Sequence, residues 1–161
     1  SLIIVPNNKG GHAMWDHKNE DRPGRYGDLS KFITDPDGLE LDQHALVYLS
    51  AEDDYDIAVD LERQEEKFDA LRPYIAFVAK NICRLDDLVQ RYDRERERGG
   101  GRFPYSLNLV YVDKPCLILE YCGMIENTTF DVVFRQENGK FILESFGMRH
   151  SLPPDWSVEF A

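Results

Sequence analysis

Eight apolar residues, Phe68, Leu71, Ile75, Val78, Ile82, Leu85, Val89 and Tyr92, recur at alternating steps of three and four. That period draws one apolar stripe along an amphipathic helix. Tyr74, Phe77 and Leu88 flank the stripe and widen it, which suits packing on a sheet better than a narrow helix–helix seam. Pro73 removes a backbone donor near the start of the pattern. It predicts a kink or two helices, with Pro73 in the first turn of the second. The helix is expected to end near Arg94. Beyond it, Arg94-Glu95-Arg96-Glu97-Arg98 and Gly99-Gly100-Gly101 bury nothing and bend freely, which reads as an exposed joint.

From Tyr105 the period changes from helical to alternating. Tyr105, Leu107, Leu109 and Tyr111 fall on one face of a first strand. Asp113-Lys114-Pro115 makes a turn, and Cys116–Cys122 is a more uniformly apolar strand suited to a central position. Two further strands, 129–136 and 140–146, flank Asn138-Gly139, whose residues both tolerate positive φ. A two-residue loop there pairs Glu137 with Lys140, Phe134 with Leu143 and Val132 with Ser145. Sequential antiparallel strands make a four-stranded meander, and the helix stripe supplies the cover for its inner face.

The first sixty residues show no comparable order. Leu2–Val5 is a short apolar run stopped by Pro6, and 7–38 is thick with Gly, Asn, Asp and Pro. Asp35-Pro36-Asp37-Gly38 has the chemistry of a type I turn. His44–Ser50 suits a strand or a short helix, and its pattern does not decide between them. Ser151–Ala161 is a tail with Pro153-Pro154 and an aromatic anchor, Trp156. The expectation is therefore one α+β domain over 1–161: an irregular N-terminal third (1–60), a helical part (61–94), a sheet (105–147) and a tail (148–161).

Charge is distributed unevenly. The formal net charge is −11. Thirteen acids lie between Asp35 and Asp69, opposed only by Arg63 and Lys67, while acids and bases cancel elsewhere. About a fifth of the chain thus carries the whole imbalance. Acidic loops and helix starts of this kind are often merely solvated. The functional alternative is a docking surface for a basic partner. Either way, the sign argues against direct binding to nucleic acid or an anionic membrane. No apolar run is long enough for a membrane span. Cys83, Cys116 and Cys122 are odd in number and lack Cys-x-x-Cys spacing, so free thiols in a reducing cytoplasm are expected.

Few groupings carry recognisable chemistry. His12, Asp16 and His17 form His-x-x-x-Asp-His, two imidazoles and a carboxylate that can hold a divalent metal. The surrounding Gly and Asn equally suit a surface loop. Lys9-Gly10-Gly11 lacks phosphate-loop spacing. His44 and His150 are isolated, and no Ser or Cys has an evident motif partner for nucleophilic catalysis. Asp86-Asp87 sit on adjacent helix positions and diverge by about 100°, so they form no acid/base pair. Glu52, Asp53, Asp54 and Asp56 surround Tyr55, an aromatic ringed by charge as an interface anchor is. Trp15 and Trp156, in irregular segments, suit either a contact surface or the anchoring of loops. No cofactor is expected.

The stretch Leu119–Phe134, followed by Lys140–Gly147, resembles a pattern found in small uncharacterised bacterial α+β proteins, some assigned as immunity proteins of polymorphic toxin systems. The resemblance covers about 85–147 and rests on sheet and turn residues, so it implies a fold and carries over no catalytic residue. It implies a non-catalytic bacterial binding protein whose partner is a basic protein toxin. An inhibitor of that kind needs an acidic surface and fast, steered association. Glu52, Asp53, Asp54, Tyr55 and Asp56 are the partner-binding candidates. The alternative is a small metal-assisted hydrolase built on His12, Asp16 and His17.

Overall fold

The computed structural model describes residues 35–52, 55–98, 101–123 and 127–161. Its elements in chain order are β1 (Leu46–Glu52), β2 (Tyr55–Asp60), α1 (Phe68–Tyr92), β3 (Tyr105–Asp113), β4 (Cys116–Gly123), β5 (Thr129–Glu137), β6 (Lys140–Phe146) and β7 (Ser157–Glu159). All seven strands join one sheet in the order of the chain. Neighbours run antiparallel except β2 and β3, which are parallel. A parallel pair needs a long crossover, and α1 provides it.

The expected four-stranded meander is therefore corrected to a seven-stranded sheet, within a chain that still mixes helix and sheet. β3–β6 form the middle of that sheet. β1 takes the strand alternative left open for 44–50, β2 lies in the remainder of the N-terminal part read as irregular, and β7 lies in the stretch read as tail. β7 escapes the sequence pattern because three residues are too few to show alternation. It is held by α1: the buried Asn81 accepts from the Ala161 N–H at 2.8 Å, and Arg84 donates to the Glu159 carbonyl.

α1 buries most of its stripe: Phe68, Ile75, Val78, Ile82, Leu85, Val89 and Tyr92 are buried, and Leu71 is half-buried against the same core. They form one core with Leu117, Leu119, Val132, Phe134, Phe141 and Leu143 of the sheet. Each such aliphatic or aromatic burial contributes on the order of 1.5–3 kcal/mol. Of the two alternatives at Pro73, separate helices are not found: α1 runs through it as one element. Phe68 and Ile75, on either side, are buried in the same core, which offsets the roughly 3 kcal/mol a helical proline costs. Arg72 further fixes this end, pairing with Asp69 at 3.0 Å and donating to the carbonyls of Pro36, Asp37 and Leu39.

The expected free joint after the helix is also corrected over 94–98. Asp93–Glu97 forms a π-helical turn, closed by the Arg98 N–H on the Asp93 carbonyl at 2.8 Å. The Asp93 carboxylate is buried and pairs with the Arg98 side chain. Tyr92 donates to Glu97 at 2.8 Å, and Arg149 pairs with the same carboxylate at 2.9 Å. Trp156 is buried edge-on to Tyr92, with Arg91 and Arg96 over its ring, so it anchors the tail.

Two bulges interrupt the strand register, and the one in β3 decides which of its side chains face α1. In β3, Leu107 lies opposite Tyr121 but Leu109 lies opposite Glu120, so Asn108 is an extra residue. Period-2 alternation restarts one residue late. Leu107, Val110 and Val112 are buried, whereas Leu109 and Tyr111, expected beside Leu107, turn to the opposite face. In β6 the pairs Glu137–Lys140 and Phe134–Leu143 occur as predicted. Glu144 is then extra, so Ser145 pairs with Val133 rather than with Val132. Asn138 and Gly139 have φ of 52° and 75°, the positive values the two-residue turn requires.

Candidate functional site

α1 covers one face of the sheet. Among the described residues no second α-helix covers the other. There, Ile118 and Glu120 of β4, Val133 of β5, and Ile142 and Glu144 of β6 alternate with the core residues and are half-buried. The Asn108 bulge adds Leu109 and Tyr111 from β3. Cross-strand register then assembles two rows. One runs Asp60, Tyr111, Ile118 and Val133; the other runs Ala58, Leu109, Glu120 and Asp131.

The β2–α1 connection walls one end of these rows. Leu61 is fully buried and donates its N–H to the Ala45 carbonyl at 2.8 Å. The Asp60 carboxylate accepts from the Glu62 N–H at 2.9 Å, a local turn of the kind Asp favours. Gln64 reaches across to donate to the Val112 carbonyl at 2.8 Å. The result is an open cleft of about 690 Å³ lined chiefly by Asp60, Glu62, Tyr111, Ile118, Glu120 and Asp131. Arg63, Gln64, Lys67, Val112 and Asp113 complete its lining, so acids outnumber bases there without excluding them.

Four carboxylates gather around one phenol. The Tyr111 pKa is raised, first by burial and then by the charges of Glu120, Asp60, Asp131 and Glu62, so the ring stays neutral and its face electron-rich. Glu120 accepts a hydrogen bond from Asn108 at 3.3 Å. Neither Glu120 nor Asp131 joins an ion pair among the described residues. Arg135, farther along the same face, is already held by Glu137 at 3.2 Å and Glu144 at 2.8 Å. A cation is thus engaged by carboxylates at one end of the face, whereas Glu120 and Asp131 join no ion pair among the described residues at the Tyr111 end.

The residues singled out in the sequence fare differently. Glu52 pairs with Tyr55, and Ala51 with Asp56, at the end of the β1–β2 hairpin. Asp53 and Asp54 lie outside the described residues, as do His12, Asp16, His17 and Trp15. Among the described residues no three His, Cys, Asp or Glu side chains come together to hold a metal ion. His44 and His150 are exposed and remote from each other in the chain. Cys83, Cys116 and Cys122 form no disulfide among the described residues, and burial raises the pKa of Cys116 and of Cys122. No helix of the described residues is long and apolar enough to cross a membrane.

Sequence reasoning missed two groups. Glu120, Asp131 and Tyr111 belong to three strands, and only the pairing register unites them. Asp86 is buried within the helix–sheet interface, accepting from the Tyr121 hydroxyl at 2.6 Å and from Gln90 at 2.7 Å. That second group did leave a signal: Asp86 and Gln90 follow Ile82 at helical steps of four, so they share the flank of the apolar stripe. No protein-family model matches the chain, and no curated protein and no solved structure matches it.

Proposed function

We propose that this chain is a non-catalytic binding protein of the bacterial cytoplasm that takes a basic protein partner, as an immunity protein takes its toxin. The observation that carries this reading is the confinement of the whole formal net charge, −11, to 35–69. That segment supplies β1, β2 and the wall of the acidic cleft. Carboxylates concentrated on one edge of a sheet speed encounter with a cationic partner and disfavour anionic ones.

The test has two stages. Tagged protein is first used to capture partners from a bacterial lysate at low salt and at ~0.5 M salt, where the Debye length falls below about 5 Å. The captured protein is then purified and its association kinetics are measured. A basic partner held only at low salt is expected, with an on-rate that drops tenfold or more when Asp53, Asp54 and Asp56 are changed to Lys. An on-rate indifferent to salt and to the triple reversal refutes the electrostatic reading.

A further inference from the structure

We infer that the open sheet face at Tyr111 is the arginine-accepting part of this surface, the place where a basic segment of the partner protein lays a guanidinium between the tyrosine ring and the carboxylates of Glu120 and Asp131. The inference rests on the binding reading above and names its contact point.

Three features of the face select that occupant. The first is sign. Asp60, Glu62, Glu120 and Asp131 outnumber Arg63 and Lys67, and no ion pair engages Glu120 or Asp131 among the described residues. The second is the floor. Tyr111 and Ile118 are half-buried, and the four surrounding carboxylates disfavour ionisation of the phenol. A neutral ring face between carboxylates suits a planar, weakly hydrated cation that stacks and forks hydrogen bonds, which is arginine rather than lysine. The third is size. About 690 Å³ lies within the roughly 300–1,000 Å³ of sites that enclose a ligand, and an open cleft between a loop and a sheet admits a chain segment. The fold shows the same chemistry internally: Arg72 lies 4.2 Å over the Phe68 ring while its Nε pairs with Asp69.

The test uses the isotope-labelled full chain and two probes, nona-arginine and nona-lysine peptides, at low salt. Titration with nona-arginine is expected to shift the amide resonances of Tyr111, Glu120 and Asp131 most. E120Q combined with D131N should weaken its affinity at least tenfold. Y111L should weaken it threefold or more while Y111F leaves it unchanged, because the ring face and not the hydroxyl makes the contact. Nona-lysine should bind at least threefold more weakly than nona-arginine. Unchanged melting temperatures show that E120Q/D131N remains folded, and the shift map on the unaltered chain stands independently of any variant. Shifts confined to 52–56, with affinity retained in E120Q/D131N, overturn this inference and leave the acidic-partner reading intact. Equal binding of the two peptides, with Y111L indifferent, overturns the arginine assignment. No binding of either peptide at low salt overturns both readings.

Discussion

Replacing Tyr121 by phenylalanine removes one oxygen from the middle of the helix–sheet interface. Tyr121 is fully buried and Asp86 is 1% exposed, with 2.6 Å between the hydroxyl and Asp86 Oδ1. Phenylalanine keeps the ring and its edge-on contact with Phe103, so the cavity left behind is small. The loss is then that of a hydrogen bond to a buried carboxylate, worth about 1.5–3 kcal/mol. We expect Tyr121→Phe to cost about 2 kcal/mol, which in a chain of this length lowers the melting temperature by about 4–8 °C. Urea denaturation followed by far-UV circular dichroism at pH 7 measures it, with the slope unchanged and the midpoint shifted. In an Asp86→Asn background the same substitution should cost only about 1 kcal/mol, since the acceptor is then neutral. A cost below about 0.5 kcal/mol in the unaltered background would refute the reasoning, because it would mean that Asp86 does not depend on this donor.

Three further outcomes follow from the fold. Val110→Ala should cost at least 1 kcal/mol more than Leu109→Ala, on the scale of about 2 kcal/mol for a buried aliphatic, because the Asn108 bulge puts Val110 in the core and Leu109 on the open face; plain alternation from Tyr105 predicts the reverse order. Gly139→Ala should cost about 1 kcal/mol in the same assay, since φ is +75° and nothing lies near the added methyl, so the strain is wholly in the backbone. Tyr74 and Tyr92 are both pushed up to about 12, chiefly by burial, with the bond to Glu97 adding to the shift of Tyr92. The folded protein holds these protons more tightly than the unfolded chain does. Their contribution is therefore full below pH 10 and is lost as pH rises from 10 to 12. Urea midpoints across that window should fall, and Tyr92→Phe should flatten the decline.

What the sequence disclosed was local. The stripe from Phe68 to Tyr92 and the Asn138-Gly139 turn each rest on residues within a few positions of one another, and both occur where expected. The bulges did not announce themselves. Asn108 and Glu144 are ordinary strand residues by type, and only the partner strand makes them extra. Glu97 sat in a charged run that looked solvated, and only the folded chain brings Tyr92 and Arg149 to it and pairs Arg98 of the same run with the buried Asp93. The cleft was the least legible feature. Asp60 and Glu62 stood out in the acidic segment, but Tyr111, Glu120 and Asp131 join them only through the parallel pairing of β2 with β3.

That parallel seam has a consequence for how the chain is made. Each of the other strand pairs is joined by a short connection, whereas Asp60 meets Tyr111 only after the whole of α1 has been spanned. Closing that loop carries the largest chain-entropy cost of any pairing in the sheet. A chain synthesised from its N-terminus must carry the β1–β2 hairpin with β2 unpaired on its outer side until β3 has emerged. Two ribosomes side by side on one message would present two such open edges to each other. The excess of carboxylates over 35–69 would give both nascent hairpins the same sign of charge, which disfavours edge-to-edge pairing.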